Sequence, residues 1–259
     1  MNNPPYRPEH LKAAPLAGSE FLELLARQRR DKYPELPPFY QSLFAGTLHR
    51  EVLELWVKNM YYYWDHGEQF STGAIFAKCQ DEEARALALK RLVFIEGKQI
   101  VNDLNGWTTP AYEELWLRFG EGLGLPREAV TSWKPFTRSY FAISTLCVLS
   151  RWWEWSWLDG IASFYAADQL GRDIMGRARE ALVRHYGVAD EHLAFFTSYF
   201  ADVTVNIPAE EKLLAYWACT TERQLTAARA FRSRLDIEYQ QIFPLNAAAT
   251  EARLPLQVP

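Results

Sequence analysis

The sequence predicts an all-α protein, and three observations support that prediction. Apolar residues recur every three or four positions from Glu20 onward, which is the spacing of one face of a helix. No run of alternating β-branched residues lies between hairpin turns, so strands are not indicated. Stop signals such as Asn105-Gly106 and Pro244 follow the periodic segments, as they do at helix ends. We therefore expect a compact bundle of about seven or eight helices.

The two chain ends frame one predicted domain. Residues 1–17 contain four prolines and predict an extended N-terminal arm. Residues 18–245 are interpreted as a single helical-bundle domain, because the chain is 49% hydrophobic and no linker or repeat divides this stretch. Residues 246–259 are interpreted as a C-terminal tail, because Pro244 is expected to stop the last helix.

The individual helices follow from the apolar spacing and from the Pro and Gly residues between them. The first begins near Glu20 and ends before Pro34. Pro208 is expected to separate the last two helices. The other predicted helices cover residues 49–79, with a bend near Gly67 or Gly73 as an open alternative, 81–105, 110–122, a short helix from Pro126, 135–170, 190–206 and 210–243.

Composition excludes several classes of protein. The net charge of −4 argues against a nucleic-acid binder, because no basic stripe is available to neutralise phosphates. Three widely spaced cysteines favour neither a disulfide framework nor a thiolate metal site. The polar N-terminus is unlike a signal peptide, and the longest apolar run, residues 141–149, is too short to span a bilayer. We expect a cytoplasmic protein without a nucleic-acid or membrane partner.

An aromatic stretch from Trp56 to Gln80 is the strongest sign of a ligand cavity. It combines rings with hydrogen-bonding tips, as the wall of a small-molecule site does. Tyr62 and Tyr63 are candidate catalytic residues, and Trp64 is a candidate substrate contact. His66 is the best candidate for proton transfer, although a structural histidine bonded to a neighbour fits equally well.

Two acidic positions are further catalytic candidates. Glu96 emerges from an apolar stretch, and Asp103 lies seven positions later on the same predicted helix and so on the same side. Such carboxylates can bind a metal or act as a base, whereas pairing with Lys90, Arg91 or Lys98 would make them an ordinary solvated face.

The tryptophan-rich segment 150–160 contains Arg151, Glu154 and Asp159. A buried carboxylate needs a partner or a chemical role. Asp159 is a candidate acid or base, with closure of a helix turn before Gly160 as the alternative.

Two candidate substrate contacts come from the last helices. Tyr199 shares a helix face with Asp202 and Asn206 at spacings of three and four. Arg234 would bind an anionic group in bidentate fashion if it reached a cavity, whereas Arg232 fits a solvated charge ladder better.

Several strings resemble the haem-oxygenase-like superfamily, in particular pyrroloquinoline quinone synthase and more distantly thiaminase II. The resemblance spans most of residues 20–243 and is carried by FYQSLFAGTL (39–48), WVKNMYYYW (56–64), AIFAKCQDEEAR (74–85), RLVFIEG (91–97), ELWLRFGEGLGL (114–125), FTRSYF (136–141) and RLDIEYQQI (234–242).

The resemblance implies the bundle fold and a cofactor-free oxidase. Tyr62 or Tyr63 matches a family tyrosine, and Arg234 stands where the family has a lysine. The neighbourhoods of the family histidines hold Ile95 or Glu96, and Gly171.

A second branch of the superfamily binds two irons through E-x6-H and H-x3-D-x2-H. Glu96 fits the first position, but Asp103 replaces the histidine. The last motif falls on Tyr199, Val203 and Asn206, which are not iron ligands.

Together these observations predict an oxidase that encloses a small aromatic or amino-acid-derived substrate and uses O₂ without an organic cofactor. Tyr62, Tyr63 and His66 would orient substrate or move protons, and Glu96 and Asp159 would be acid–base groups or metal ligands. The alternatives are an iron-dependent oxygenase and a non-catalytic member that binds a small molecule or a protein. The metal is left unassigned, with iron as the alternative to none, and the resemblance implies a homodimer.

Overall fold

The computed structural model describes residues 14–97, 110–151 and 155–251, and all regular structure in these ranges is helical. This confirms the all-α prediction. The helix number in these ranges is above the predicted seven or eight, because Pro38–Ala45 is an additional helix and the predicted segments 49–79 and 135–170 are each divided into two α-helices. The α-helices are Gly18–Lys32 (α1), Pro38–Ala45 (α2), Arg50–Tyr62 (α3), Glu68–Lys78 (α4), Glu82–Ile95 (α5), Tyr112–Gly122 (α6), Arg127–Thr131 (α7), Thr137–Arg151 (α8), Trp157–Tyr186 (α9), Ala194–Trp217 (α10) and Thr221–Glu251 (α11).

Helix α9 forms the axis of the bundle. It is buried along most of its length and packs against α10 and α11, while α8 packs against α4 and α11. An aromatic core fills the side between α3, α6 and α10. Its rings include Trp56, Trp116 and Phe196, with ring-centroid distances of 5.3 Å between Trp56 and Trp116 and 6.0 Å between Trp56 and Phe196. None of the described helices is long and apolar enough to cross a membrane.

The predicted helix 49–79 is continuous but contains one π turn, Tyr63–Gly67, between α3 and α4. Gly67 lies under α8: a Cβ at this position would be 3.0 Å from Ile143 Cγ2. A glycine therefore permits the close approach of α8 at this turn. The extra residue of the π turn also rotates the side chains that follow it relative to those that precede it. As a result, Tyr63 and Glu68 meet inside the bundle.

The two prolines predicted to end helices lie inside helices instead. Pro208 is in α10 and Pro244 is in α11, so both predictions were wrong. Each proline removes one backbone hydrogen bond from its helix. The residues beside them, including Ile207 and Leu245, are buried, and their packing stabilises the helix enough for it to continue. Residues 246–251 of the predicted tail are consequently helical.

The predicted single helix over 135–170 was also wrong, because the chain breaks between α8 and α9. Ser156 caps α9 and accepts a hydrogen bond from the Asp159 amide, while Asp159 accepts one from the Ser156 amide. Lys78 bridges the two sides of this break, because it donates to the Ser150 carbonyl at 2.6 Å and to the Trp155 carbonyl at 3.0 Å. The capping box therefore starts a new helix here.

Helix α5 ends before the predicted limit of residue 105. Gly97 follows it with φ of +79°, and a Cβ there would be 2.4 Å from the Ala111 nitrogen. A left-handed glycine is a usual helix stop. The rest of the predicted helix, with Asp103, lies outside the described residues.

Candidate functional site

Charged side chains meet in the interior of the bundle, where five helices converge. They come from α4, α5, α9, α10 and α11, and all are buried except Glu238, whose side chain is 14% exposed. We call this set the buried ionic centre; its members are Glu68, Arg91, Asp168, Glu210, Arg234 and Glu238.

Arg91 links three of the carboxylates. Its Nη2 donates to Glu68 at 3.0 Å, and its Nη1 donates to Asp168 at 2.6 Å. The same Nη1 lies 3.5 Å from Glu210. The aliphatic part of α5 carries this arginine inward, because Leu87, Ala88 and Ile95 of the helix are buried as well.

Arg234 links the other side of the centre. Its Nη2 donates to Glu68 at 3.0 Å and its Nε donates to Glu238 at 2.6 Å. The Tyr63 hydroxyl accepts a hydrogen bond from Arg234 and donates one to Glu68. Glu68 therefore joins the two arginines into one network.

Burial and charge set the protonation of these groups. Burial alone would raise the pKa of Glu68, but Arg234 and Arg91 outweigh it and lower the pKa to about 2. Burial raises the pKa of Glu210 well above its usual range, and the neighbouring Asp168 raises it further. Burial likewise raises the pKa of Tyr63, so its hydroxyl stays protonated.

A small cavity opens on one side of the ionic centre. It offers about 10 Å³ to a molecule the size of water, which is room for roughly one water molecule. Its lining combines charged, phenolic and apolar side chains. They are Glu68, Arg91, Phe94, Ile95, Tyr112, Asp168, Tyr199, Asp202, Val203 and Asn206.

An aromatic wall backs this cavity. The ring of Trp64 lies 5.5 Å from that of Tyr199 and 6.0 Å from that of Tyr112, measured between centroids. The Tyr112 hydroxyl donates to Asp202, and Lys90 donates to Asn206 at 3.2 Å. The site thus has flat apolar surfaces next to polar groups that can orient a ligand.

Four of the residues predicted from sequence lie at this site. Tyr63 and Arg234 belong to the ionic network, and Tyr199 lines the cavity. Trp64 is buried behind Tyr199. The functional roles assigned to them stay predictions, but the structure does bring these four together.

Tyr62 and His66 lie on the other side of the same π turn. The His66 ring stacks on Tyr62 at 4.7 Å, and its Nδ1 is 2.7 Å from Asp65. The His66 side chain is 49% exposed, so it does not reach the buried centre.

Glu96 and Asp159 are also placed away from the cavity. Glu96 is the exposed residue that follows α5. Asp159 is buried, but it caps α9 through Ser156, which agrees with the alternative of a helix-turn role. Their predicted catalytic roles have no support from this placement.

Sequence reasoning missed four carboxylates and one arginine of the centre: Glu68, Asp168, Glu210, Glu238 and Arg91. One of them carried a readable signal. Asp168 interrupts the run GIASFYAADQL, residues 160–170, in which a charge has apolar neighbours on all helix faces. Arg91 was considered only as a surface partner of Glu96.

The described residues do not fit the di-iron site of the second superfamily branch. In the ranges 14–97, 110–151 and 155–251, no three His, Cys, Asp or Glu side chains are gathered as metal ligands. The three carboxylates that converge surround the Arg91 guanidinium, so an organic cation already occupies the position between them.

Comparison with known proteins agrees with this fold. Residues 26–231 match the model of the TENA/THI-4/PQQC family. A pyrroloquinoline-quinone synthase of Rhizobium meliloti is 26% identical over 231 residues, covering 87% of this chain and 85% of that protein. A 4-aminobenzoate synthase of Chlamydia muridarum is 26% identical over 196 residues, covering 75% and 77%.

Solved structures show the same architecture. A domain with a heme oxygenase-like fold from Shewanella denitrificans superposes with a TM-score of 0.68 at 13% identity, covering 92% of this chain and 94% of that chain. A TenA homologue from P. horikoshii gives a TM-score of 0.62 at 12% identity, covering 92% and 100%. The fold resemblance predicted from sequence is confirmed.

Proposed function

The chain belongs to the TENA/THI-4/PQQC family, and on that premise we propose that it is an enzyme that oxidises a small aromatic or amino-acid-derived molecule with O₂. The names of its relatives, a quinone synthase and an aminobenzoate synthase, support an enzymatic role of the family type. The observation that carries the proposal is the cavity beside the buried ionic centre, with its phenolic and carboxylate lining.

The charges of the lining favour a substrate with an amino group. Three carboxylates, Glu68, Asp168 and Asp202, face one arginine, Arg91. Lys90 donates to Asn206 at the edge of the cavity, and with its charge included the net charge of the lining is still negative. A cation is attracted to such a lining, whereas a polyanion is repelled because the site is shielded from water.

The size of the cavity sets a condition on binding. Anything larger than about one water must displace part of the wall. The apolar side, formed by Phe94, Ile95 and Val203, can move without breaking ion pairs, whereas the charged side cannot. We therefore expect the substrate to enter against the apolar side and to stack on Tyr199.

The residues at the cavity have distinct roles in this proposal. Tyr199 holds the flat part of the substrate, with Trp64 supporting the ring from behind. Asp168 holds the amino group and accepts the proton that oxidation releases, since it lines the cavity and Arg91 donates to its Oδ2. Electrons pass from the substrate to O₂, so the substrate must be electron-rich. Arg91 fixes the orientation of Asp168.

The test is oxygen uptake with a panel of aromatic amines, aminobenzoates and amino acids, with products identified by mass spectrometry. Arg91→Met should abolish uptake, whereas Arg85→Met, an exposed arginine on the same helix, should leave it unchanged. Equal effects of the two variants would refute the assigned site. Iron measured in protein from iron-supplemented cells, and lost together with activity on chelation, would instead support the metal-dependent alternative.

A second candidate, a non-catalytic binding protein, is favoured by the residues in the neighbourhoods of the family histidines, which are Ile95 or Glu96, and Gly171. Quenching of Trp64 fluorescence by a panel compound, absent in Trp64→Phe and unaccompanied by oxygen uptake, would support binding alone. Uptake together with quenching would exclude this candidate.

A further inference from the structure

The buried ionic centre contains more acids than bases. Glu68, Asp168, Glu210 and Glu238 stand against Arg91 and Arg234, and the six side chains form one connected network. Four ionised carboxylates would leave two negative charges uncompensated in a region shielded from water. Isolated buried charges are costly enough that a carboxylate takes up a proton instead.

The hydrogen bonds indicate which acid is protonated. Glu68 accepts hydrogen bonds from Tyr63, Arg91 and Arg234. Asp168 accepts one from Arg91 at 2.6 Å.

The remaining two acids, Glu238 and Glu210, differ in the hydrogen bonds that they accept. Glu238 accepts a hydrogen bond from Arg234 at 2.6 Å and one from Gln241 at 3.4 Å. Both oxygens of Glu210 are buried without a hydrogen-bond donor, and Arg91 Nη1 comes only to 3.5 Å. A carboxylate without donors is the least stable of the four, so Glu210 is the one that holds a proton.

We propose that Glu210 is a proton store that remains protonated at neutral pH and exchanges its proton with Asp168 at the cavity. In the exchange the Glu210 carboxylic acid becomes a carboxylate while the Asp168 carboxylate becomes a carboxylic acid. The net charge of the centre does not change, so the transfer needs no counterion. In turnover, which rests on the proposed oxidase function, Asp168 passes this proton to reduced O₂, and the proton that Asp168 then takes from the substrate restores Glu210. The presence of the proton on Glu210 does not rest on that function.

The surroundings of Glu210 agree with this assignment. Burial disfavours its ionisation most, and Asp168 from α9 and Glu211 from α10 itself add to this effect, so its pKa is raised. Tyr165 of α9 donates to Glu211 at 2.9 Å and stays neutral because burial raises its pKa. Arg91 of α5 is the opposing cation, and it is shared with Glu68 and Asp168.

The decisive experiment is infrared spectroscopy of the full chain without substrate at neutral pH. All samples carry Glu113→Gln, and this variant serves as the wild-type reference, because the pKa of Glu113 is raised to about 7 and its acid form would give a band of its own. A protonated carboxylic acid has a carbonyl band that ionised carboxylates lack, and this band moves to lower frequency in D₂O. We expect such a band in the wild type, its loss in Glu210→Gln and its retention in Glu211→Gln, the matched change one residue away. Asp168→Asn should shift the band, because the hydrogen-bond acceptor of the Glu210 proton is changed.

Each contrary result has one meaning. No band in the wild type, or a band that survives Glu210→Gln but disappears in Glu238→Gln, overturns the proposal. Should Glu210→Gln fail to fold, the pH dependence of the wild-type band decides: loss near the ordinary glutamate pKa of about 4.3 refutes the store.

Failure of the proposed function gives a different pattern. A band that depends on Glu210 in a protein without oxygen uptake would retain the proton store and reject the oxidase. Oxygen uptake without the band would retain the oxidase and reject the proton store. In an active enzyme, Glu210→Gln should lower kcat with little change in KM and remove a limb of the kcat–pH profile.

Discussion

The π turn between α3 and α4 presents similar residues to two different environments. Its inner side carries Tyr63 and leads to Glu68, both buried. Its outer side carries Asp65 and His66, and the His66 side chain is 49% exposed. Each side therefore offers a carboxylate next to a polar ring, within six residues of sequence.

The two sides differ because water competes on one and is excluded from the other. On the inner side Glu68 binds two arginines and a tyrosine, and these outweigh burial to lower its pKa to about 2. On the outer side Asp65 lies 2.7 Å from His66 Nδ1, but exposed pairs of this kind contribute little. Solvent exclusion, rather than residue type, makes the inner side a candidate site.

The largest expected effect comes from breaking the inner network at Arg234. Arg234→Met leaves Glu68 with one arginine and Glu238 with none. Removal of one partner from a buried ion pair costs about 3–5 kcal/mol, so the free energy of unfolding should fall by about that amount in urea denaturation. Arg232→Met, a half-buried change two residues away, should cost about 0.5 kcal/mol or less.

A second variant distinguishes the charge effect from loss of packing. Arg234→Met combined with Glu238→Gln removes one of the two carboxylates that lose their ion pair with Arg234. The double variant should therefore recover part of the lost stability. If the double variant were less stable than Arg234→Met alone, uncompensated charge would not be the cause.

A smaller effect is expected from Tyr63→Phe. The change removes the hydroxyl that joins Arg234 and Glu68 but keeps the ring. Two buried charged groups each lose a hydrogen bond, so we expect a loss of about 1–3 kcal/mol in the free energy of unfolding. Tyr62→Phe, on the outer side, should change it by about 0.5 kcal/mol or less. Equal losses in the two variants would remove the distinction between the two sides.

The sequence predicted much of the fold because helical spacing is a local property. The continuous segment 49–79 and the all-α class are both confirmed. The predictions that Pro208 and Pro244 end helices were wrong because a proline costs only one local hydrogen bond. Buried neighbours such as Ile207 stabilise the helix through tertiary packing. The break before α9 was missed because Ser156 and Asp159 form its capping box within a run of tryptophans.

The site was predicted only in part, for a different reason. Tyr63 and Arg234 were recognised, but their partners lie far away in sequence: Arg234 meets Glu68 across 166 positions. His66 was favoured because its residue type fits proton transfer, and nothing local indicates that the π turn directs it outward. Asp168 was the exception, since its apolar neighbours alone indicate burial.

The smallest expected effect concerns the outer side, where Glu113 of α6 lies beside Asp65. Partial burial raises the pKa of Glu113, and Asp65 adds to the effect, to about 7. The folded protein then binds more protons than the unfolded chain between about pH 4.5 and pH 7, so Glu113 lowers stability as the pH rises through this window. Because this group is only partly buried, screening limits the effect to roughly 0.5 kcal/mol.

Glu113→Gln should therefore gain stability relative to the wild type between pH 5 and pH 8, measured by urea denaturation at several pH values. Glu114→Gln is the matched control with the opposite sign. A hydrogen bond from Arg127 lowers the pKa of Glu114 to about 2, so this variant should lose stability at neutral pH, and the loss should fade as the pH falls toward that value. If Glu114→Gln also gained stability at neutral pH, the outer acids would respond only to the net charge of the protein. Effects of opposite sign would show that individual contacts still matter at this partly exposed edge, although on a much smaller scale than at the buried ionic centre.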